Sequence, residues 1–291
     1  MEQGDMDFDD YKQIIDSFQD LKFIQLQGEG EPFLHSKIFD MIKYSKSKDI
    51  IIQTTTNGSL FSPENVSNII DSGLDIVNIS IDSPNESDFK RIRGGSFEKI
   101  VEGIKLLVEE RNKRNSRFPL IGIWVTILKD SARVLPDIFN LYTNLGLDGG
   151  ISIQPLNNSY FNAQYYDDEL SKQHLTKREN LIILNDFYDM IKSIKIDNFI
   201  KDLNEYFYKE LQSKEIKIKK SCMWLKYGLF FNIYGYATGC CAIKDYRKYN
   251  FGKVGENSIQ SILLERDKFR EMLVSGNISE ACINCTFPKC Y

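Results

Sequence analysis

The chain has 291 residues, 42% hydrophobic and 27% charged, with a formal net charge of −4. That length fits one large domain plus a smaller one, and the acidic balance gives no basis for a nucleic-acid partner. No apolar run approaches the ~20 residues that span a bilayer, and the polar, acidic start Met1-Glu2-Gln3-Gly4-Asp5 is neither a secretory nor a transit signal, so the expected setting is cytoplasmic, with no membrane partner.

Phe8, Tyr11, Ile14, Ile15 and Phe18 recur at helical spacing and predict an amphipathic helix over 7–19. A short strand over Phe23–Gln27, a helix over 36–47 and an apolar strand over Ile50–Ile52 follow. Ser62 and Pro63 are an N-cap and first helical residue for a helix running to Gly73. Asp75–Ile81 reads as the next strand, and Ser83-Pro84-Asn85-Glu86 as a capping box. Phe97, Ile100, Val101, Ile104 and Val108 line a longer helix, before a strand over Leu120–Leu128, a helix over Pro136–Leu145 and a strand over Ile151–Gln154. This alternation argues for a parallel sheet curved into a full or partial barrel. The series opens with a helix where a parallel α/β unit opens with a strand, which leaves Phe23–Gln27 as an edge and makes the sequence read as though its front were cut away.

Residues 166–213 are charged and helical, with Leu181, Leu184 and Phe187 on one face and Tyr206, Phe207 and Tyr208 beyond, and are expected to connect two domains. The Lys-rich stretch 214–220 is a solvated strand or loop. Phe230–Tyr236 then predicts a hairpin, an aromatic strand turning around Gly235. The domain plan is thus 1–165, 166–213 and 214–291.

All six cysteines lie at or after Cys222. Clustered thiols without an export signal read as metal ligands rather than disulfides. Cys222 and Cys240, with the pair Cys282-Ile283-Asn284-Cys285, supply four thiolates, enough for a [4Fe–4S] cluster or a structural zinc, and spacing alone does not choose between them. Cys290 follows, and Cys241 points away from its neighbour if the segment is a strand. With only His35 and His174 present, histidine-rich metal sites are excluded.

In parallel α/β folds ligands sit at the carboxyl ends of the strands. Here those positions read Gly28-Glu29-Gly30-Glu31-Pro32, Thr54-Thr55-Thr56-Asn57-Gly58, Ser80-Ile81-Asp82-Ser83 and Gln154-Pro155-Leu156-Asn157. Each is also an ordinary turn or cap when taken singly; their recurrence on successive strand ends makes the functional case.

Together with the Gly235-x4-Cys240 pattern and the Cys282-x2-Cys285 pair, these motifs resemble the radical S-adenosylmethionine (radical SAM) superfamily with a C-terminal SPASM or twitch domain, over nearly the whole chain. The resemblance implies an α/β fold, a partial (β/α)6 TIM-type barrel with its first strand missing, plus a small Cys-rich α+β domain. It implies that Gly28, Gly30, Glu31 and Pro32 hold the S-adenosylmethionine (AdoMet) amino group, that Ser80 contacts AdoMet, that Arg93, with Arg91 as alternative, pairs its carboxylate, and that Leu156 lies against adenine. Cys222, Cys240, Cys282 and Cys285 match the ligands of an auxiliary [4Fe–4S] cluster, with Cys290 as a substitute. The implied activity is hydrogen-atom abstraction through a 5′-deoxyadenosyl radical on a peptide, protein or small-molecule substrate, with an electron donor such as flavodoxin or ferredoxin. The family's Cys-x3-Cys-x2-Cys loop, which holds the catalytic cluster, has no counterpart in these residues. The rival reading is a non-catalytic binding module with a four-thiolate zinc or iron–sulfur domain.

Overall fold

A computed structural model describes residues 4–157, 166–194, 196–202, 222–283 and 285. Tyr206, Phe207, Tyr208, the Lys-rich stretch 214–220, the far end of the expected connector and Cys290 lie outside the described residues. The chain forms two compact units, one of Lys22–Pro155 with Leu175–Gln212, the other of Met1–Leu21, Leu156–His174 and Ser213–Tyr291. The first helix, α1 (Phe8–Ser17), therefore groups with the C-terminal residues, whereas a boundary at 165 keeps it with the sheet. The Asp7 carboxylate caps α1 by accepting from the amides of Asp9 and Asp10.

The larger unit is built on β1 (Phe23–Gln25), α2 (Ile38–Lys46), β2 (Ile51–Thr56), α3 (Pro63–Asp71), β3 (Ile76–Ser80), α4 (Glu86–Arg93), α5 (Phe97–Lys113), β4 (Leu120–Ile127), α6 (Leu135–Asn144) and β5 (Ile151–Pro155). The strands form one five-stranded parallel sheet in sequential order, β1 through β5. This is the partial barrel expected, with one strand fewer than six. Ser62 caps α3 ahead of Pro63 as the sequence indicates, its hydroxyl accepting from the Asn65 amide. The expected cap at Ser83 is instead Asn85, whose Oδ1 accepts from the amides of Ser87 and Asp88. Glu86 does not reach back to Ser83, because its carboxylate accepts from the amides of Phe97 and Glu98 at the start of α5.

Register assigns the two faces of the sheet. Gln53 pairs with Ile76 and Thr55 with Asn78; Asn78 pairs with Gly122, Ser80 with Trp124, and Trp124 with Ser152. Paired residues of a parallel ladder share a face, so Gln53, Thr55, Asn78, Ser80, Trp124, Thr126, Ser152 and Gln154 form one polar face. The alternate positions Ile52, Val77, Ile79, Ile121 and Ile123 are each 0% exposed. Ile79 and Ile100 both lie against the Cβ position of Gly58, which places this apolar face under α5. At the amino ends of the strands, Ile76 and Leu120 are covered by Phe118, Ile196, Phe199 and Ile200.

Two carboxylates, buried Asp75 and half-buried Asp148, fasten these amino ends. Asp75 accepts from the Ile52 amide at 2.8 Å and from Lys46 Nζ at 2.7 Å. Asp148 accepts from the Ile121 amide at 2.9 Å and pairs with Arg111 at 2.9 Å. Tyr142, 1% exposed, accepts from the Gly150 amide at 2.9 Å. Burial, partly offset by that bond, pushes its phenol up to about 12.

In the other unit, α7 (Asp168–Ser171) is a single turn, while α8 (Lys177–Ile191) belongs with the sheet unit and packs Phe187 on Phe139 with ring centroids 5.7 Å apart. Then come α9 (Met223–Tyr227), the antiparallel pair β6 (Phe230–Phe231) and β7 (Ala237–Thr238), and α10 (Ile259–Val274). The hairpin turns at Gly235, φ 76°, as predicted, and Asn232 Oδ1 accepts from the amides of Tyr234 and Tyr236. Its core joins Leu225, Ala237, Phe251, Ile259, Ile262 and Leu273, with Phe18 of α1 edge-on to Phe231 at 6.1 Å.

Removing one partner of a buried ion pair strands the other. Asp75→Ala is expected to lower unfolding free energy by about 3 kcal/mol in urea titrations, and Tyr142→Phe, which orphans the Gly150 amide, by about 1–3 kcal/mol.

Candidate functional site

The loop after β1 begins with exposed Gly28, Glu29 and Gly30. Glu31 is tied down: Oε1 accepts from Thr56 Oγ1 at 2.6 Å and from the Phe33 amide at 3.3 Å, and Oε2 accepts from the Asn57 amide at 2.8 Å. It thereby caps the 3-10 turn Pro32–Leu34 and locks that turn to the end of β2. Thr56 Oγ1 also accepts from the Gly58 amide, whose residue has φ 76° and sits 3.0 Å, at a notional Cβ, from Ile100. Glu31 thus spends its carboxylate on the loop, and the exposed glycine backbone is the surface it presents.

Ser80 is the half-buried last residue of β3. Two residues on, Asp82 is 3% exposed. Its Oδ1 accepts from the Thr126 amide at 2.7 Å and its Oδ2 from Arg93 Nε at 2.7 Å. Arg93 ends α4, which stops at Gly94 in the left-handed conformation, φ 78°. Arg91 faces Asp88 at 3.4 Å on the exposed side of the same helix. Of the two arginines, Arg93 is the one brought to the β3 and β4 ends. Leu156, buried directly after β5, falls in the other unit.

The polar face behind these loops carries buried polar atoms without partners: Thr55 Oγ1 on β2 and Trp124 Nε1 on β4. Buried polar groups are normally bonded, so two orphans on the face that bears Ser80 fit a sheet that receives a polar ligand there. The sequence reading named the strand-end residues but missed Thr56, Asp82 and Asn57 as their anchors, and missed Asn78 and Trp124. The available signal was the two-residue period Gln53, Thr55 and Asn78, Ser80, polar where a closed barrel would be apolar.

The cysteines gather in the second unit. Cys222 and Cys282 pack against the core around Leu225 and Ala237, while Cys240 packs beside Ile243 and Ala281. Burial pushes the Cys240 thiol well up, and its neighbours Cys241, Cys222 and Cys285 push it further by charge repulsion, against the lowering bond from the Ala242 amide. Among the described residues no group of three His, Cys, Asp or Glu is drawn into an arrangement that holds a metal ion. The donor set, soft thiolates without histidine, suits an iron–sulfur cluster or zinc.

Comparison with known proteins supplies the context for both sites. Residues 2–126 match the radical SAM superfamily and residues 222–286 match SPASM, an iron–sulfur cluster-binding domain. These families use AdoMet and iron–sulfur clusters. The chain is 26% identical over 98% of its length to the tungsten-containing aldehyde ferredoxin oxidoreductase cofactor-modifying protein of Pyrococcus furiosus, spanning 80% of that protein. It is 23% identical to the AdoMet-dependent heme synthase of Nitratidesulfovibrio vulgaris, over 98% of this chain and 78% of that one. Among solved structures, native anSMEcpe with bound AdoMet is similar with TM-score 0.67 at 13% identity, over 94% of this chain and 75% of that one. Streptococcus suis SuiB bound to precursor peptide SuiA is similar with TM-score 0.63 at 14% identity, over 98% and 64%. The two structures bear on fold alone.

If Glu31 is the anchor of the strand-end loop, Glu31→Ala frees the amides of Phe33 and Asn57. Native-state hydrogen exchange at both is expected to accelerate about tenfold or more, a loss of roughly one charge-assisted bond, while Arg91→Ala leaves them unchanged.

Proposed function

Because the chain belongs to the radical SAM superfamily and carries an iron–sulfur cluster-binding SPASM domain, we propose that its strand-end loops bind AdoMet and its C-terminal cysteines bind an auxiliary [4Fe–4S] cluster, in the service of hydrogen-atom abstraction from a peptide, protein or small-molecule substrate. The observation that carries the reading is the convergence of the glycine loop 28–30, Ser80 and the Asp82–Arg93 pair on the carboxyl ends of neighbouring parallel strands.

In this reading each residue has a distinct task. Gly28 and Gly30 let backbone approach the AdoMet ammonium closely, and carbonyl groups accept from it. Glu31 and Pro32 hold that loop, Glu31 through Thr56 and Asn57. Ser80 offers a hydroxyl at the sheet edge. Arg93 keeps Nε on Asp82 and has its terminal nitrogens for a carboxylate. Leu156 supplies apolar surface for adenine. Bound AdoMet supplies the reactive sulfonium carbon; the protein binds, orients and excludes water. In the other unit, Cys222, Cys240, Cys282 and Cys285 are the proposed cluster ligands, with Cys290 a further thiolate.

The barrel residues do not fit a catalytic cluster, since no cysteine precedes Cys222 to supply a thiolate. That same observation favours a second reading, in which this sequence binds AdoMet without cleaving it.

Calorimetric titration tests the AdoMet site. Arg93→Ala is expected to weaken AdoMet binding about tenfold or more, the worth of a lost carboxylate contact, and Arg91→Ala to leave it unchanged; equal effects would discard the assignment. Anaerobic reconstitution is expected to give iron and sulfide together, lost in Cys240→Ser, whereas zinc without sulfide would replace the cluster. Release of 5′-deoxyadenosine from AdoMet by the reduced protein separates the two readings: hydrogen-atom abstraction requires it, and its absence is the outcome expected for binding without cleavage.

A further inference from the structure

We propose that the polar face of the sheet contains a binding pocket for a small neutral amide or lactam group, with Asn78 as its principal polar contact. A cavity of about 80 Å³ lies between Gln53, Asn78 and Ser152 of the sheet and Ile191, Ile196 and Ile200 opposite. One water needs roughly 10–15 Å³ of such space, so the cavity is too large for a single bridging water.

Asn78 is 4% exposed, yet no described residue hydrogen-bonds its side chain. Burying a carboxamide without a partner is unfavourable, and this one lines a cavity rather than packing against apolar neighbours. The sheet makes room for it. A Cβ at Gly122 would collide with Asn78 Oδ1 and would lie 2.8 Å from the Gly150 carbonyl oxygen. Thr55, beside Asn78 in the ladder, and Trp124, beside Ser152, each keep an unpartnered buried polar atom on the same face. These two unpartnered atoms flank the row of Asn78, which itself lines the cavity.

The lining selects the chemistry. None of its residues is charged, so an ionic group entering it would be stripped of water without compensation. A carboxamide presents a donor and an acceptor side by side, which matches the N–H and C=O edge of an amide. The isoleucine walls take the apolar remainder of such a group. Asn78 stands two residues before Ser80 on β3, roughly 7 Å along the strand, so the pocket lies deeper than the strand-end loops. The inference stands without the AdoMet assignment.

The test uses the full chain with Trp224→Phe, leaving Trp124 as the fluorescent reporter beside Ser152. It would be titrated with N-methylacetamide, an open-chain amide, and 2-pyrrolidone, a lactam, and in parallel with acetate and guanidinium at matched ionic strength. At least one neutral probe is expected to bind saturably and neither ion to do so; the tighter neutral probe tells an open-chain source from a cyclic one. Asn78→Leu, which keeps the branched shape and removes the unpaired amide, is expected to weaken binding about tenfold or more and also to raise the urea midpoint. A merely structural Asn78 would give a lower midpoint. Should that variant fail to fold, Gln53→Leu carries the same binding expectation. Absence of saturable binding by both neutral probes, equal binding of either ion, or unchanged affinity in the folded variant would overturn the proposal.

Discussion

A loop carboxylate that accepts a backbone amide from a neighbouring strand is the device on which the sheet unit depends. Asp75 takes the Ile52 amide, Asp148 that of Ile121, Asp82 that of Thr126 and Glu31 that of Asn57. Parallel ladders leave such amides unpaired at strand ends, and a buried unpaired amide is costly. Each carboxylate also holds a second group from its surroundings: Lys46, Arg111, Arg93 and Thr56 respectively. The first two fasten the amino ends of the strands, the last two the carboxyl ends. Loops that would otherwise fray are thereby fixed in the places where parallel sheets receive ligands.

The same device changes what the strand-end acids can do. The sequence suggests Glu31 as a direct acceptor for an ammonium, because its chemistry permits that. In the fold both Glu31 oxygens already accept from protein donors, and both Asp82 oxygens are engaged. In the proposed AdoMet site, recognition of the ammonium would fall to the exposed backbone of residues 28–30, where no Cβ intervenes at either glycine. In the same proposal the carboxylate would be met by the guanidinium edge of Arg93 turned away from Asp82.

Much of the fold was legible because period and punctuation agreed. The five strands and α3, with Ser62 and Pro63 at its start and Gly73 at φ 78° past its end, follow from local rules. The hairpin around Gly235 was equally local, since a left-handed residue must be placed there. The cap before α4 was misplaced because Ser83 and Asn85 are both good caps, and the choice was made by Glu86, whose bond to the α5 amides spans 11 residues. The grouping of α1 with the C-terminal unit was illegible for the same reason. Its apolar face, Tyr11, Ile14 and Ile15, specifies burial but not the surface that buries it. Arg93 and Arg91 are alternatives in the sequence, and helix phase separates their surroundings: two residues apart are about 200° apart around the axis, so Arg93 meets Asp82 and Arg91 meets Asp88.

Why the inner face of the sheet is polar is the remaining question, and the packing answers it. Small closed barrels fill their interior with branched apolar side chains. Here Ile76 and Leu120 do this only at the amino ends, beneath Phe118, Ile196, Phe199 and Ile200. One row higher the residues become Thr55, Asn78 and Gly122, then Ser80, Trp124 and Ser152. A sheet that needed only stability would have continued the apolar layers, because each buried polar side chain without a partner subtracts from folding free energy. Among the described residues, Thr55 Oγ1 and Trp124 Nε1 in these two rows have no hydrogen-bond partner, which suits the ligand proposed above. In the pocket proposed above, the layer of Ile76 would set the depth and the polar rows above it would meet the ligand.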